Sequence, residues 1–451
     1  MNKIVLYYPS FSRDKGDQTL YTDLPLSVIT LAAQLHNRYP VEIIDARIDC
    51  FTESELAKKL ENTFLVGISA TTSYQIVNGL KFAELVRRCS PNIQIVWGGW
   101  HPSLMPEETI RHELVDMVIV GQGEQIIAKL ADCIQKGGAL TDIPNLYFKD
   151  QTGAVHKSFQ ISFHDLQLPE NIIQGYGYVP MQRYIHTGWG NRKILGYESS
   201  RGCMYACQFC SIHAVFQTKW HGLPADCVSR DILWLKQQYK IDAVHFFDNN
   251  FFVNKKRAQK IASLFTENAV KVKWDGTVVV RQFLRFTEKD LELLKQSGFY
   301  RVIVGVESGD EEVLAKINKN HTNQEVLELV RRCREYDILP SLSFMVGFPW
   351  QPEADTENTV RLIEKIKSIH KNAEILLFVF SPYLGTPLYT TAQKYGMRYP
   401  SSLEGWADFT YDRTNTPWVS AKLNRKIQRY LGFFGTKELD ENEQRFYRGF
   451  E

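Results

Sequence analysis

No apolar run in the 451 residues reaches the length of a membrane span. Charge of one sign is also lacking: 53 Lys and Arg stand against 51 Asp and Glu, a formal +2. That balance creates no strong field for nucleic acid or for an anionic membrane surface. The run Met1–Tyr8 stops at Pro9, without the longer apolar stretch or small-residue cleavage site of a secretory signal, so the expected compartment is the cytoplasm. Internal repeats and low-complexity tracts are missing, which argues against a solenoid or a disordered chain. Cysteine is sparse at eight residues. Cys50, Cys89, Cys133, Cys227 and Cys333 are scattered, so no disulfide framework is expected.

What is present is ordinary globular composition, 44% hydrophobic and 23% charged, in a chain too long for one average core. Residues 1–140 alternate short apolar runs (Ile4–Tyr8, Val41–Ile44, Leu65–Ser69, Ile93–Trp97, Met117–Val120) with helical patterns such as Leu24, Val28, Leu31, Ala32 and Leu35. That rhythm predicts a first domain with an open parallel α/β sheet, whose ligands bind at the carboxyl ends of the strands. Residues 141–190 are punctuated by Gly and Pro and read as a connector with a small hairpin around Leu146–His156. Residues 191–390 resume the alternation with strands at Ile194–Glu198, Ala243–Phe247, Val272–Val279, Arg301–Val306, Ser341–Val346 and Ile375–Phe380. Six such units predict a partial barrel with its site at the strand carboxyl ends. Residues 391–451 form an aromatic, basic C-terminal segment with one helix near Ala421–Phe434.

Cys203, Cys207 and Cys210 fall in one loop directly after the first strand of the second domain. Three thiolates on a short loop can hold three irons of a four-iron four-sulfur cubane and leave the fourth iron open. On spacing alone two other readings stand: a zinc site completed by His213 or Cys227, and a cluster for electron transfer.

The CxxxCxxC spacing with Phe209 before the last cysteine resembles the radical S-adenosylmethionine (SAM) superfamily. Phe247-Asp248-Asn249-Asn250, Gly305-Val306-Glu307-Ser308-Gly309 and Gly347-Phe348-Pro349 strengthen the likeness, because they end the second, fourth and fifth strands of the second domain. The resemblance implies that the open iron binds SAM and that the reduced cluster cleaves it to a 5′-deoxyadenosyl radical. It implies Phe209, Asp248, Asn250, Arg281, Glu307 and Gly347 as SAM-site residues, and a reductant such as flavodoxin or ferredoxin.

The first domain resembles the cobalamin-binding, flavodoxin-like domain that precedes the barrel in one branch of that superfamily. Ser69, Thr71, Gly98, Gly99, His101, Gly121, Gly123 and Glu124 occupy the matching strand-end positions. Pro9–Asp23 contains no histidine, so cobalamin without a protein histidine beneath the cobalt is implied. Arg13, Asp14, Lys15, Asp17 and Tyr21 populate that loop instead. The expected function is radical methylation of a small-molecule or peptide substrate. Tetrapyrrole-cyclase-like ring formation or rearrangement is the alternative, and a non-catalytic iron–sulfur or zinc module is the second. The tail aromatics (Trp406, Phe409, Tyr411, Trp418, Tyr430, Phe433, Phe434) are read as closing the reaction space or as a helix-packing surface.

Overall fold

The computed structural model describes residues 2–13, 23–158, 168–409 and 416–434. Asp14, Lys15, Asp17, Tyr21 and Tyr411 lie outside them, as does the side chain of Phe433. The chain divides into two compact units. One takes residues 2–13, 23–183 and 399–409; the other takes 184–398 and 416–434.

The first unit is built on β1 (Lys3–Tyr8), β2 (Val41–Asp45), β3 (Thr63–Ser69), β4 (Gln94–Gly98), β5 (Met117–Ile119), β6 (Leu146–Lys149) and β7 (Val155–Lys157). Their order is β2-β1-β3-β4-β5-β6-β7. The first five run parallel, and β6 and β7 extend the sheet antiparallel. The predicted hairpin is therefore part of the first sheet rather than a free connector. Ile4, Leu6, Leu65 and Val96 are buried beneath Val28, Ala32 and Leu35 of the helix Leu26–Leu35. Both faces of such a sheet are covered, which is why its strands read as continuous apolar runs.

The second unit carries β8 (His186–Gly188), β9 (Arg192–Tyr197), β10 (Ser200–Gly202), β11 (Trp220–Gly222), β12 (Ala243–Phe246), β13 (Lys273–Val278), β14 (Phe299–Glu307), β15 (Leu339–Val346) and β16 (Glu374–Val379). Its main sheet, β16-β15-β14-β13-β12-β9-β8, is parallel except for β8 and curls into a half-barrel. Helix starts are well specified. Thr287 with Asp290 and Thr322 with Glu325 form reciprocal capping boxes. The short antiparallel pair β10–β11 was not foreseen; three-residue strands leave no periodicity to read.

Candidate functional site

In the second unit the cysteine loop leaves β10 at Gly202, whose φ of +81° suits glycine alone. A Cβ there would lie 2.1 Å from the Lys219 carbonyl oxygen. The loop is pinned along its length. The Gln208 amide donates to Ile317 O at 3.0 Å, Gln208 O accepts from the Leu388 amide at 3.1 Å, and Asn318 Nδ2 donates to Ala206 O at 2.9 Å. Burial pushes the Cys207 thiol up and the Cys210 thiol up to about 12. A buried thiol ionises when a cation is there to hold the thiolate.

Glu307 closes β14 with φ +74°, an uncommon conformation for a side-chain-bearing residue, at a register shift between Gly305 and Glu307. The kink folds its carboxylate back over Gly305, where a Cβ would lie 2.2 Å from Oε1. Lys319 Nζ sits 3.1 Å from that carboxylate and 2.8 Å from Gly305 O. Burial opposes the Lys319 ammonium, but Glu307 and Cys207 outweigh it and hold the lysine charged. The same Nζ is 6.0 Å from the centre of the Phe209 ring. Glu307, Phe209, Cys207 and Cys210 thus meet around one buried cation.

Asp248, two residues beyond β12, is buried and turned toward the chain itself. It accepts from the Ser199 amide and Ser199 Oγ, both at 2.7 Å, and from Ser200 Oγ. Burial raises its pKa, with Arg257 opposing. Asn249 Oδ1 takes the Gly202 amide at 2.9 Å. These two residues therefore anchor the start of the cysteine loop. Asn250 Nδ2 reaches Gln282 Oε1 at 3.0 Å, while its buried Oδ1 has no hydrogen-bond partner among the described residues. Arg281 is half-exposed and pairs with Glu325 at 2.9 Å, apart from this group. Gly347 takes φ +85°, and its carbonyl accepts from Trp418 Nε1 at 2.8 Å.

In the first unit Gly99 follows β4 with φ +95°. A Cβ there would fall 2.8 Å from Ala70 O and 3.1 Å from Ser69 Oγ, so only glycine permits this close turn. Ser69 shares a hydrogen bond with Ser27 at 2.9 Å, and Thr71 with Ser73 at 3.0 Å. Ser103 Oγ donates to Gly99 O at 2.6 Å and accepts from the Gly121 amide at 2.9 Å. Gly123 packs against Leu31, and Glu124 accepts from Thr30 at 2.8 Å, so both hold the helix Leu26–Leu35. His101 is fully buried. Its Nδ1 pairs with Thr72 Oγ1 at 3.1 Å, its Nε2 has no partner among the described residues, and burial lowers its pKa to about 4. Trp406 lies beside it, 5.8 Å between ring centres, and donates to Glu108 at 2.9 Å.

Residues 197–363 match the model of the radical SAM superfamily, and residues 19–131 match that of the B12 binding domain. The chain belongs to the cobalamin-dependent radical SAM proteins. Among other members, an uncharacterized methyltransferase of Pyrococcus horikoshii is 28% identical over 374 residues, 82% of this chain and 79% of that protein. The anaerobic magnesium-protoporphyrin IX monomethyl ester cyclase of a Synechocystis strain is 22% identical over 379 residues, 82% of this chain and 73% of the cyclase. The fold is shared with the radical SAM methyltransferase TsrM from Kitasatospora setae, solved with cobalamin and a [4Fe-4S] cluster. That match has a TM-score of 0.70 at 18% identity over 90% of this chain and 84% of TsrM.

The residues present fit the cofactors of such a radical SAM protein. A cubane needs one thiolate on each of three irons, spread around the cluster. Among the described residues no three His, Cys, Asp or Glu side chains converge to hold a single ion. His213 gives its Nδ1 to the Cys210 carbonyl at 2.8 Å, and Cys227 is buried in the helix Ala225–Tyr239. The orphaned Asn250 Oδ1 and the buried Lys319–Glu307 pair offer polar partners for a zwitterionic ligand, and the Gly99 turn leaves a strand end without side chains.

Sequence reasoning passed over Lys319, Gln282, Ser199, Ser200 and Asp355. Asp355 Oδ1 accepts from Ser308 Oγ at 2.5 Å and ties the loop after β14 to the helix Pro352–Ile369 that follows β15. No spacing signal marks these residues: Lys319, Gln282 and Asp355 come from separate parts of the chain, and Ser199 and Ser200 look like ordinary small residues beside a strand.

Proposed function

We propose that the chain is a radical methyltransferase that places a methyl group on an unactivated carbon of a small molecule or peptide. The reading rests on one observation: three loop thiols at the barrel mouth accompany a glycine-only strand-end turn in a B12 binding domain. When bound, the cluster with SAM supplies a 5′-deoxyadenosyl radical and cobalamin supplies the methyl group. Cys203, Cys207 and Cys210 hold three irons. Lys319 keeps a positive charge beside Glu307, where a carboxylate of SAM would be countered and a hydroxyl of its ribose accepted. Asn250 Oδ1 accepts from an amino group, and Asp248 acts through Ser199 and Ser200 as a positioning residue. Ser69, Thr71, Gly98 and Gly99 take the cobalamin tail, and His101 Nε2 accepts from the corrin periphery. An electron donor such as flavodoxin or ferredoxin supplies the reducing electron.

The methyltransferase name carried by the Pyrococcus relative favours this reading, and the cyclase likeness favours ring formation as the second. One incubation separates them. The protein, produced with iron, sulfide and cobalamin, is mixed with SAM and dithionite. A methyltransferase yields S-adenosylhomocysteine as well as 5′-deoxyadenosine. A cyclase yields 5′-deoxyadenosine alone, and the absence of both removes the enzyme reading.

A further inference from the structure

Burial along the half-barrel identifies its inner face. Val244, Phe246, Val302, Val304, Leu342 and Phe344 are buried on the side that carries the helices. The alternate residues Phe247, Thr277, Ile303, Ser343, Leu376 and Phe378 are only part-buried. Central strands show that alternation when their second face lines open space.

Toward the amino ends of the strands this inner face carries a charged floor. Asp275 Oδ2 is 2.7 Å from His245 Nδ1 and 2.9 Å from Arg301 Nη2, and Arg301 Nη1 is 3.2 Å from Glu374. Trp189 lies against it, with its ring centre 4.7 Å from the Arg301 guanidinium carbon. Asp275 is fully buried; burial opposes its charge, but His245 and Arg301 outweigh it and keep the carboxylate ionised. His245 differs from its neighbours. Its side chain keeps 24% exposure in a strand where Val244 and Phe246 are sealed, and Nε2 makes no hydrogen bond among the described residues. A carboxylate at Nδ1 fixes a proton there, so whenever the ring is neutral Nε2 is its acceptor. Two carboxylates already flank the Arg301 guanidinium, so the floor disfavours an anion.

We infer that His245 is a specificity-determining residue at the floor of the substrate cavity. Its Nε2 accepts a hydrogen bond from a neutral or cationic donor, such as a hydroxyl, amide or azole N–H, at the far end of an elongated, largely apolar substrate. The inference rests on the reading of Glu307 as part of the SAM site. Arg301 and Glu307 are six residues apart on β14, about 20 Å at the usual strand rise of about 3.3 Å per residue. Phe247, Ile303, Leu376 and Phe378 supply the apolar wall between them.

The test follows the His245 side-chain nitrogens by NMR in the 15N-histidine-labelled holoenzyme, assigned by their loss in His245→Phe. Phenol, fluorobenzene and benzoate are titrated in turn. The expected result is an Nδ1–H tautomer and a saturable shift of Nε2 with phenol. Fluorobenzene and benzoate leave it unmoved, and His245→Phe binds phenol at least tenfold more weakly with the fold retained. Asp275→Asn reverses the tautomer; because Asp275 is fully buried, His245→Phe provides the second variant that spares the carboxylate–guanidinium pair. An Nε2–H tautomer in the unmutated protein, no response to phenol, or an equal response to all three probes overturns the inference. No SAM cleavage is required, so failure of the radical reading shows separately, as missing 5′-deoxyadenosine.

Discussion

At the scale of the residue, two buried groups set measurable energies. Asp355 is buried with the Ser308 hydroxyl at Oδ1; burial raises its pKa to about 7, against the opposing pull of Ser308 and the Gly347 and Phe348 amides. An unfolded aspartate titrates near 3.9. Between those values the folded chain binds the proton and the unfolded chain does not, so the contribution of this group to stability is fully present below about pH 4 and is lost as pH rises through 7. The loss attributable to this group is on the order of 4 kcal/mol. Urea midpoints of Asp355→Asn should be flatter across pH 5–8 than those of the unmutated chain; an unchanged slope would remove Asp355 as the cause. Lys319 poses the opposite case. Lys319→Met leaves the Glu307 carboxylate buried without its cation, which costs about 3–5 kcal/mol. The double variant Lys319→Met/Glu307→Gln should recover most of that loss, whereas an additive loss would show that the two residues do not interact.

At the scale of the element, function depends on short segments where the chain leaves a strand. The cysteine loop begins at Gly202, held at positive φ against the Lys219 carbonyl and drawn in by Asn249. Gly202→Ala must move that backbone as well as adopt the left-handed region, at about 1–3 kcal/mol of strain. The expected outcome is iron content well below four per chain with the far-UV circular dichroism unchanged; a full complement of iron would show that the loop tolerates the shift. These elements were unevenly legible in the sequence. The parallel strands of both sheets stood out because their burial writes apolar runs, whereas β8, three residues in the stretch read as a connector, did not; the cysteine loop stood out because three thiols in eight residues are rare. Lys319, Gln282 and Asp355 were illegible because each is one polar residue in an amphipathic stretch, where a solvated face looks the same. Arg281 followed its strand at the expected place, yet one turn of helix directs it to Glu325.

At the scale of the molecule, two compact units each own a set of strand ends. The tail is divided between them: Trp406 and Phe409 pack in the first unit, while Trp418 binds the Gly347 loop of the second. Composition could not show that division, because aromatic residues in a tail announce burial without naming the partner. Each unit has its own core, and the residues proposed for each cofactor come from one unit alone, so loading of the two should be separable. The triple variant Cys203→Ala/Cys207→Ala/Cys210→Ala should lose the brown cluster absorbance and still bind hydroxocobalamin, read from its visible bands after gel filtration. Gly99→Val should do the reverse: its side chain would enter the space beside Ala70 and Ser69, weakening cobalamin at least tenfold while iron stays near four per chain. If either change abolished both cofactors in protein that keeps its far-UV spectrum, the sites would be coupled, and each unit could no longer be treated as an independent binding module.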